Sequence, residues 1–258
     1  MTDYRKKRSP SASWEPVEKW YNASVGKEGQ YYHKKIIIPN ILKLLKLKES
    51  DTLLDIACGQ GVLARHIPEG ISYTGLDISP SLIKEAKLND PNPSHQYVVA
   101  DACKPLPIKG SQFSHAAIIL ALQNIEHPEQ ALKNLKTHLQ HGGKLAIVLN
   151  HPCFRIPRQT SWQVDEEKKI QYRRVDRYAS PMKIPIQAHP SKGENSPATW
   201  SFHHSLSDFS RMLHASGFVI ELIEEWCSDK VSTGGAAKME NRSREEFPLF
   251  LTLLTRKT

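Results

Sequence analysis

The sequence predicts an α/β fold built on a doubly wound parallel sheet, and three features carry that prediction. Short apolar runs alternate with helix-forming segments through five successive strands up to Asn150. The first of them, Leu53-Leu54-Asp55-Ile56-Ala57-Cys58-Gly59-Gln60-Gly61, passes from a strand into two closely spaced glycines. The second, Tyr73-Thr74-Gly75-Leu76, ends in Asp77. A chain that leaves a buried strand and turns at once needs residues without bulk where backbone and ligand meet, and glycine also tolerates positive φ. A carboxylate ending the next strand can accept both hydroxyls of a ribose. A bare glycine pair is also what any tight turn requires, but the strand before it and Asp77 after it point to a nucleoside site. At this level a dinucleotide fits as well as any other nucleoside cofactor.

Composition bounds the rest. With 258 residues, 39% of them hydrophobic, the chain can bury one large core, alone or with a small appended lobe. No apolar run approaches the roughly 20 residues that span a bilayer, and residues 1–10 are polar and basic, so a cytoplasmic protein with no membrane association is expected. Cys58, Cys103, Cys153 and Cys227 lie far apart, which indicates neither a zinc site nor a disulfide framework, and no metal is expected. The formal charge is +8. Basic residues gather at Arg5-Lys6-Lys7-Arg8 and across 168–177, where Tyr172 interleaves Lys168, Lys169, Arg173, Arg174 and Arg177. The second cluster suits an RNA backbone and a stacked base, or equally the solvated side of a β-hairpin.

In chain order, Trp14 to Tyr21 and Tyr32 to Leu47 read as two helices joined by a glycine-bearing loop at 25–29. The second sets Ile37, Leu42, Leu45 and Leu47 against the sheet, with Pro39 marking a kink or a late start. Strand 53–57 leads to a crossover helix over 61–67 that ends at Pro68 and Gly70. Strand 72–77 is followed by helix 80–89, with Ser79 as N-cap and Pro80 at its first position. Asp90-Pro91-Asn92-Pro93 breaks the chain before strand 95–100. Strand 113–120 is almost wholly apolar, as expected where helices cover both faces. Helix 128–140 is stopped by His141-Gly142-Gly143, and strand 144–150 follows. Residues 151–204, rich in prolines and scattered aromatics, predict an inserted substrate-facing lobe of short strands. Helix 207–216, strand 218–224, a polar loop over 227–244 and strand 247–255 close the chain, an ending that a plain dinucleotide fold does not predict.

These residues resemble the class I S-adenosylmethionine-dependent methyltransferases, in particular those with a type 11 or type 12 core. That family's D-x-G-x-G-x-G turn corresponds to Asp55, Ala57, Gly59 and Gly61, with alanine for the first glycine. Its ribose-binding acid corresponds to Asp77 and its adenine-side acid to Asp101 in Val98-Val99-Ala100-Asp101-Ala102. Leu106-Pro107-Ile108-Lys109-Gly110-Ser111-Gln112-Phe113 is similar to the family's approach to strand four, with Ser114 where an aspartate is usual. Leu213-His214-Ala215-Ser216-Gly217-Phe218 is similar to its approach to strand six. The resemblance implies a Rossmann-like, seven-stranded, mostly parallel sheet of order 3-2-1-4-5-7-6 with strand seven antiparallel. It also implies an N-terminal tail and helical lid over 1–47, a core over 48–258, and S-adenosyl-L-methionine as cofactor. Ile78, Ala102 and Leu120 would complete the cofactor-contacting set, and Tyr21, Tyr32 and His33 would belong to the lid, whereas Trp20 reads as packing.

Methyl transfer from a sulfonium needs alignment and exclusion of water more than a covalent residue. Where the acceptor must lose a proton, His151, directly after the fifth strand, is the first candidate base; it equally suits a structural hydrogen bond, and His203 and His204 compete with it. Phe154, Trp162, Tyr172, Tyr178 and Trp200 suit either a wall for a planar acceptor or the small core of the insertion. A small-molecule acceptor is the leading expectation. RNA or protein methylation, a non-catalytic cofactor-binding protein and an NAD-dependent oxidoreductase are the other readings, and sequence leaves the oligomeric state open.

Overall fold

The computed structural model describes residues 13–26, 29–108, 112–188 and 196–258. The basic run at 5–8, part of the loop at 25–29 and residues 109–111 of the approach to strand four lie outside them. A seven-stranded sheet forms the centre, in the order β10-β11-β5-β4-β1-β2-β3. Its strands are β1 (Thr52–Ile56), β2 (Ser72–Asp77), β3 (Gln96–Val99), β4 (Phe113–Ile119), β5 (Leu139–Asn150), β10 (Phe218–Trp226) and β11 (Phe250–Lys257). The first five run parallel, and β11 is antiparallel to both of its neighbours, β5 and β10. This is the order the family resemblance implies, with β11 as its seventh strand. The order reverses between β1 and β4, and that switch point opens a crevice at the carboxyl ends of the parallel strands.

Alternation of side chains along each strand explains why the apolar runs are unbroken. Leu53, Ala146 and Val148 pack on one face with Ile37, Ile41 and Leu45 of the N-terminal helical segment and with Ile83 and Ala86 of α3 (Pro80–Asn89). Leu54, Ile56, Leu145 and Ile147 pack on the other, against Leu132 and Leu135 of α4 (Pro128–His138) and Phe209 and Leu213 of α5 (Leu206–Ala215). Ser79 caps α3 as predicted, its hydroxyl accepting from Leu82 N–H. Ser205 caps α5 in a reciprocal box with Asp208.

Several boundaries differ from the sequence reading. The first helix is a 3₁₀ turn, Glu15–Val17, continued by α1 (Glu18–Val25). A π-helical turn, His33–Ile37, leads into α2 (Ile38–Leu45), so the helix changes pitch just before Pro39. The predicted helix 61–67 is only a 3₁₀ turn at Ala64–His66. Gly61 is left-handed at φ 72°, and Pro68 holds Ile67 in an extended conformation, so too few residues remain to close α-helical turns. Helix α4 ends at His138 rather than at 140, because Leu139 already pairs with Phe113 at the start of β5. Gly142 and Gly143 sit at the register shift between Phe113 and His115 instead of stopping a helix. Within the predicted polar loop lies α6 (Ala237–Glu246), held by the Ser243 hydroxyl on the carbonyl of Gln171.

Between β5 and α5 the chain forms two hairpins, β6 (Thr160–Asp165) with β7 (Ile170–Val175) and β8 (Met182–Gln187) with β9 (Ala198–His203). No helix among the described residues is long and apolar enough to cross a membrane.

Candidate active site

The turn after β1 is left-handed at three places: Ala57 at φ 55°, Gly59 at 56° and Gly61 at 72°. Its backbone is tied to β2, with Cys58 N–H on the carbonyl of Leu76 at 2.9 Å and Gly59 N–H on Asp77 Oδ2 at 3.0 Å. The other oxygen, Asp77 Oδ1, accepts from Ser79 N–H at 2.9 Å. A Cβ at Gly59 would stand 3.1 Å from the hydroxyl of Tyr21, so glycine there lets the turn and the N-terminal helix approach closely.

Above this turn a cavity of about 760 Å³ runs along the carboxyl edge of the sheet. Its first half is lined by Ala57, Gly59, Asp77, Ile78, Asp101, Ala102 and Leu120, under a roof of Trp14, Trp20 and Tyr21. The second half continues past β4 to Asn150, Arg155, Phe250 and the β8–β9 hairpin, with Tyr32 and His33 above. Burial pushes the Asp77 carboxyl up to about 6 against the pull of its two backbone donors. Burial also pushes His33 down to about 4, and its Nδ1 is buried with no hydrogen-bond partner, which leaves a neutral ring with a polar atom to satisfy.

Residues 54–147 match the methyltransferase domain family. A 2-phytyl-1,4-naphtoquinone methyltransferase of Nostoc sp. is 31% identical over 136 residues, covering 48% of this chain and 58% of that enzyme. A demethylmenaquinone methyltransferase of Chlamydia trachomatis is 29% identical over 116 residues, covering 43% and 50%. The chain spans about half the length of the curated relatives it matches. The structure of an S-adenosylmethionine-dependent methyltransferase from Mesorhizobium loti is similar with a TM-score of 0.66 and 25% identity, covering 84% of this chain and 96% of that one. Residues 54–147 thus carry a methyltransferase domain, in a fold similar to that of a solved S-adenosylmethionine-dependent methyltransferase. The family match and the structural neighbours imply S-adenosylmethionine as cofactor, and the lining suits that molecule: carboxylates follow the adjacent strands β2 and β3, apolar residues flank them, and His33 Nδ1 is a buried polar atom without a partner.

Not every residue that the sequence of this methyltransferase domain singled out reaches the cavity. Tyr21, Tyr32, His33, Ala57, Gly59, Asp77, Ile78, Asp101, Ala102 and Leu120 line it. Asp55 lies behind the wall, where its Oδ2 accepts the Tyr73 hydroxyl at 2.8 Å. Gly61 is also behind it, packed so closely that a Cβ would stand 2.9 Å from Tyr97 Oη. These two shape the turn from beneath rather than by contact. His151 is turned away as well. Its Nδ1 accepts Cys153 N–H at 3.2 Å, which leaves the ring proton on Nε2, donated to Glu225 Oε1 at 2.7 Å. Ser114, where the family's aspartate is usual, exchanges hydrogen bonds with Thr52 at the opposite end of β1, far from the crevice.

Sequence reasoning missed other members of the wall. Trp20, read as packing, lines the cavity with Trp14, whose ring meets Tyr21 edge-on at 5.3 Å. Glu15 reaches α3, bonding both hydroxyls of Ser79 and Ser81, which fastens this roof to the end of β2. Arg155 and Lys183 come from the insertion and carried no motif that could reveal them.

Two predictions follow from this geometry. Asp77→Ala removes an anchor of the turn and the carboxylate proposed to accept the ribose, and calorimetry should find S-adenosylhomocysteine bound about 1–3 kcal/mol more weakly; unchanged affinity would deny Asp77 that role. Burial raises Asp55 from 3.8 to about 7, so between those values the folded chain holds a proton that the unfolded chain has lost. Its contribution to stability is therefore complete below the lower value and disappears as pH rises through the upper one. Asp55→Asn cannot ionise, and urea unfolding should show it gaining on wild type by about 1–4 kcal/mol between pH 5 and pH 8. A difference that stays flat across that range would mean Asp55 is not held neutral.

Proposed function

We propose that the protein transfers the methyl group of S-adenosylmethionine to a small molecule by in-line displacement. The observation that carries this reading is that the cavity lined by the cofactor-suited residues is lined also by Asn150 of β5, Phe250 of β11 and Arg155 beyond β5, and we take that extension as a second chamber for the acceptor. When bound, the cofactor supplies an electrophilic methyl group on a sulfonium centre. Asp77 accepts the ribose hydroxyls, Asp101 faces the base, and Ile78 and Ala102 flank it. Trp14, Trp20 and Tyr21 exclude water from above, so a nucleophile in the second chamber meets the methyl group in a dry, fixed line.

The two curated relatives are named for a phytyl-naphtoquinone and for demethylmenaquinone, and a planar apolar acceptor suits the Phe250, Ile186 and Pro157 walls. The insertion 151–204 then serves as the acceptor-facing lobe, since Arg155, Pro157, Lys183, Ile186 and Ser201 all come from it. RNA is the less supported acceptor. Across 168–177, Lys168 is paired with Asp165 and Arg174 with Asp176, while Arg173 turns inward to the carbonyl of Phe154 at 2.7 Å, so the cluster offers no continuous free cationic track.

Two experiments test the proposal. Incubation with isotopically labelled methyl donor, in separate arms holding small-molecule extract and RNA, should place label in the small-molecule arm, read by mass spectrometry. Label only in RNA would replace the acceptor class, and no label from a protein that binds S-adenosylhomocysteine would leave a non-catalytic binder. For His151 we propose a positioning role, because both ring nitrogens are engaged. With an acceptor in hand, His151→Gln should lose less than about tenfold in turnover, whereas removal of a general base costs roughly 10²–10⁴-fold.

A further inference from the structure

Arg155 stands one turn beyond β5, its backbone N–H on the carbonyl of His151 at 2.8 Å. Its guanidinium lies over the ring of Phe250, 5.3 Å from the centroid, on the wall of the second chamber. Its one polar contact is Nη1 to the carbonyl of Leu249 at 3.5 Å, too long for a good hydrogen bond to an oxygen that already accepts from His151 N–H at 2.9 Å. No carboxylate among the described residues is within ion-pair distance of it. Lys183 in the same chamber is the contrast, held by Glu126 at 2.9 Å. Burial is the main influence lowering the Arg155 pKa, opposed by Tyr32 and reinforced by repulsion from Arg173. A guanidinium offers five N–H donors in a rigid fork that matches a carboxylate. Holding a half-buried guanidinium without an anionic partner is costly, and an anion entering the cavity would complete it.

Resting on the methyl-transfer reading above, we infer that Arg155 binds a carboxylate carried by the methyl acceptor, which is therefore an aryl acid whose apolar ring lies against Phe250. The cofactor's own carboxylate is the other source of the same chemistry. It is disfavoured by position: the carboxylates suited to the cofactor's ribose and base follow β2 and β3, whereas Arg155 follows β5 and Phe250 begins β11, across β1 and β4 from them.

Calorimetry on the protein saturated with S-adenosylhomocysteine can decide, using two matched pairs: 4-hydroxybenzoate with 4-hydroxybenzamide, and 2-naphthoate with 2-naphthamide. We expect each acid to bind at least about tenfold more tightly than its amide, and Arg155→Gln to reduce that preference to within about twofold. Arg155→Lys, which keeps charge but not the fork, should retain an intermediate preference, and thermal melts of both variants establish that they are folded. Equal binding of acid and amide, no binding of either, or a preference that survives in Arg155→Gln overturns the inference. So does weaker S-adenosylhomocysteine binding by folded Arg155→Gln, which would give the guanidinium to the cofactor. Failure of the wild-type protein to bind S-adenosylhomocysteine would instead sink the methyl-donor reading itself.

Discussion

The carboxylate of Asp77 joins two turns that would otherwise be independent. One oxygen holds Gly59 N–H in the turn after β1, and the other holds Ser79 N–H at the start of α3. A buried anion with two backbone donors is stable only where both turns arrive together, so the adjacent ends of β1 and β2 are fixed relative to each other. The same carboxylate lines the cavity. One side chain thus sets the shape of the floor and supplies its principal acceptor.

The roof depends on that floor. Glu15 bonds the hydroxyls of Ser79 and Ser81, and Tyr21 rests on Gly59, so the N-terminal segment is registered against the two turns that Asp77 holds. Farther along, Tyr31 donates to Asp229 at 3.0 Å and the Tyr32 hydroxyl shares a hydrogen bond with Ser228 at 3.1 Å. Lys230 lies over both rings. The roof is therefore clasped at one end by the β2 turn and at the other by the loop after β10. These contacts are mostly polar and close to solvent, unlike the apolar packing that holds β5 to β11. Segments held this way open at lower free energy than the core, which suits a cover that must admit and release ligands.

The parallel half of the fold was legible because it obeys local rules. Strand β2 and helix α3 lie where period, cap and proline placed them, and the glycine turn with Asp77 sits at the crevice. What sequence concealed was set by tertiary context. Leu139 joins β5 rather than α4 because its neighbour in the sheet, Phe113, outweighs helix propensity. Helix α6 is polar throughout and has no apolar face to reveal it, only good helix formers such as Ala237, Lys238 and Glu240. His151 read as a base from its place at a strand end, but strand position does not say which way a ring turns, and Glu225 on β10 takes it. Arg155 and Lys183 reach the cavity only through the path of the insertion, which has no spacing rule.

The boundary between the two chambers is itself under constraint. Leu120 adopts φ 52°, a left-handed conformation that costs a branched side chain on the order of 1–3 kcal/mol. The surroundings over-determine it: its N–H donates to the carbonyl of Val148 at 2.8 Å, and its carbonyl accepts from Gln123 Nε2 at 2.9 Å and Asn124 Nδ2 at 3.1 Å. A residue in the ordinary strand region would carry β4 straight on into the space between cofactor and acceptor. The left-handed bend turns the chain aside and leaves Leu120 in the wall of the cavity. Ala57, at φ 55° on β1, bends the neighbouring strand in the same way. The two strained residues flank the switch point of the sheet, where both strands end and the crevice opens.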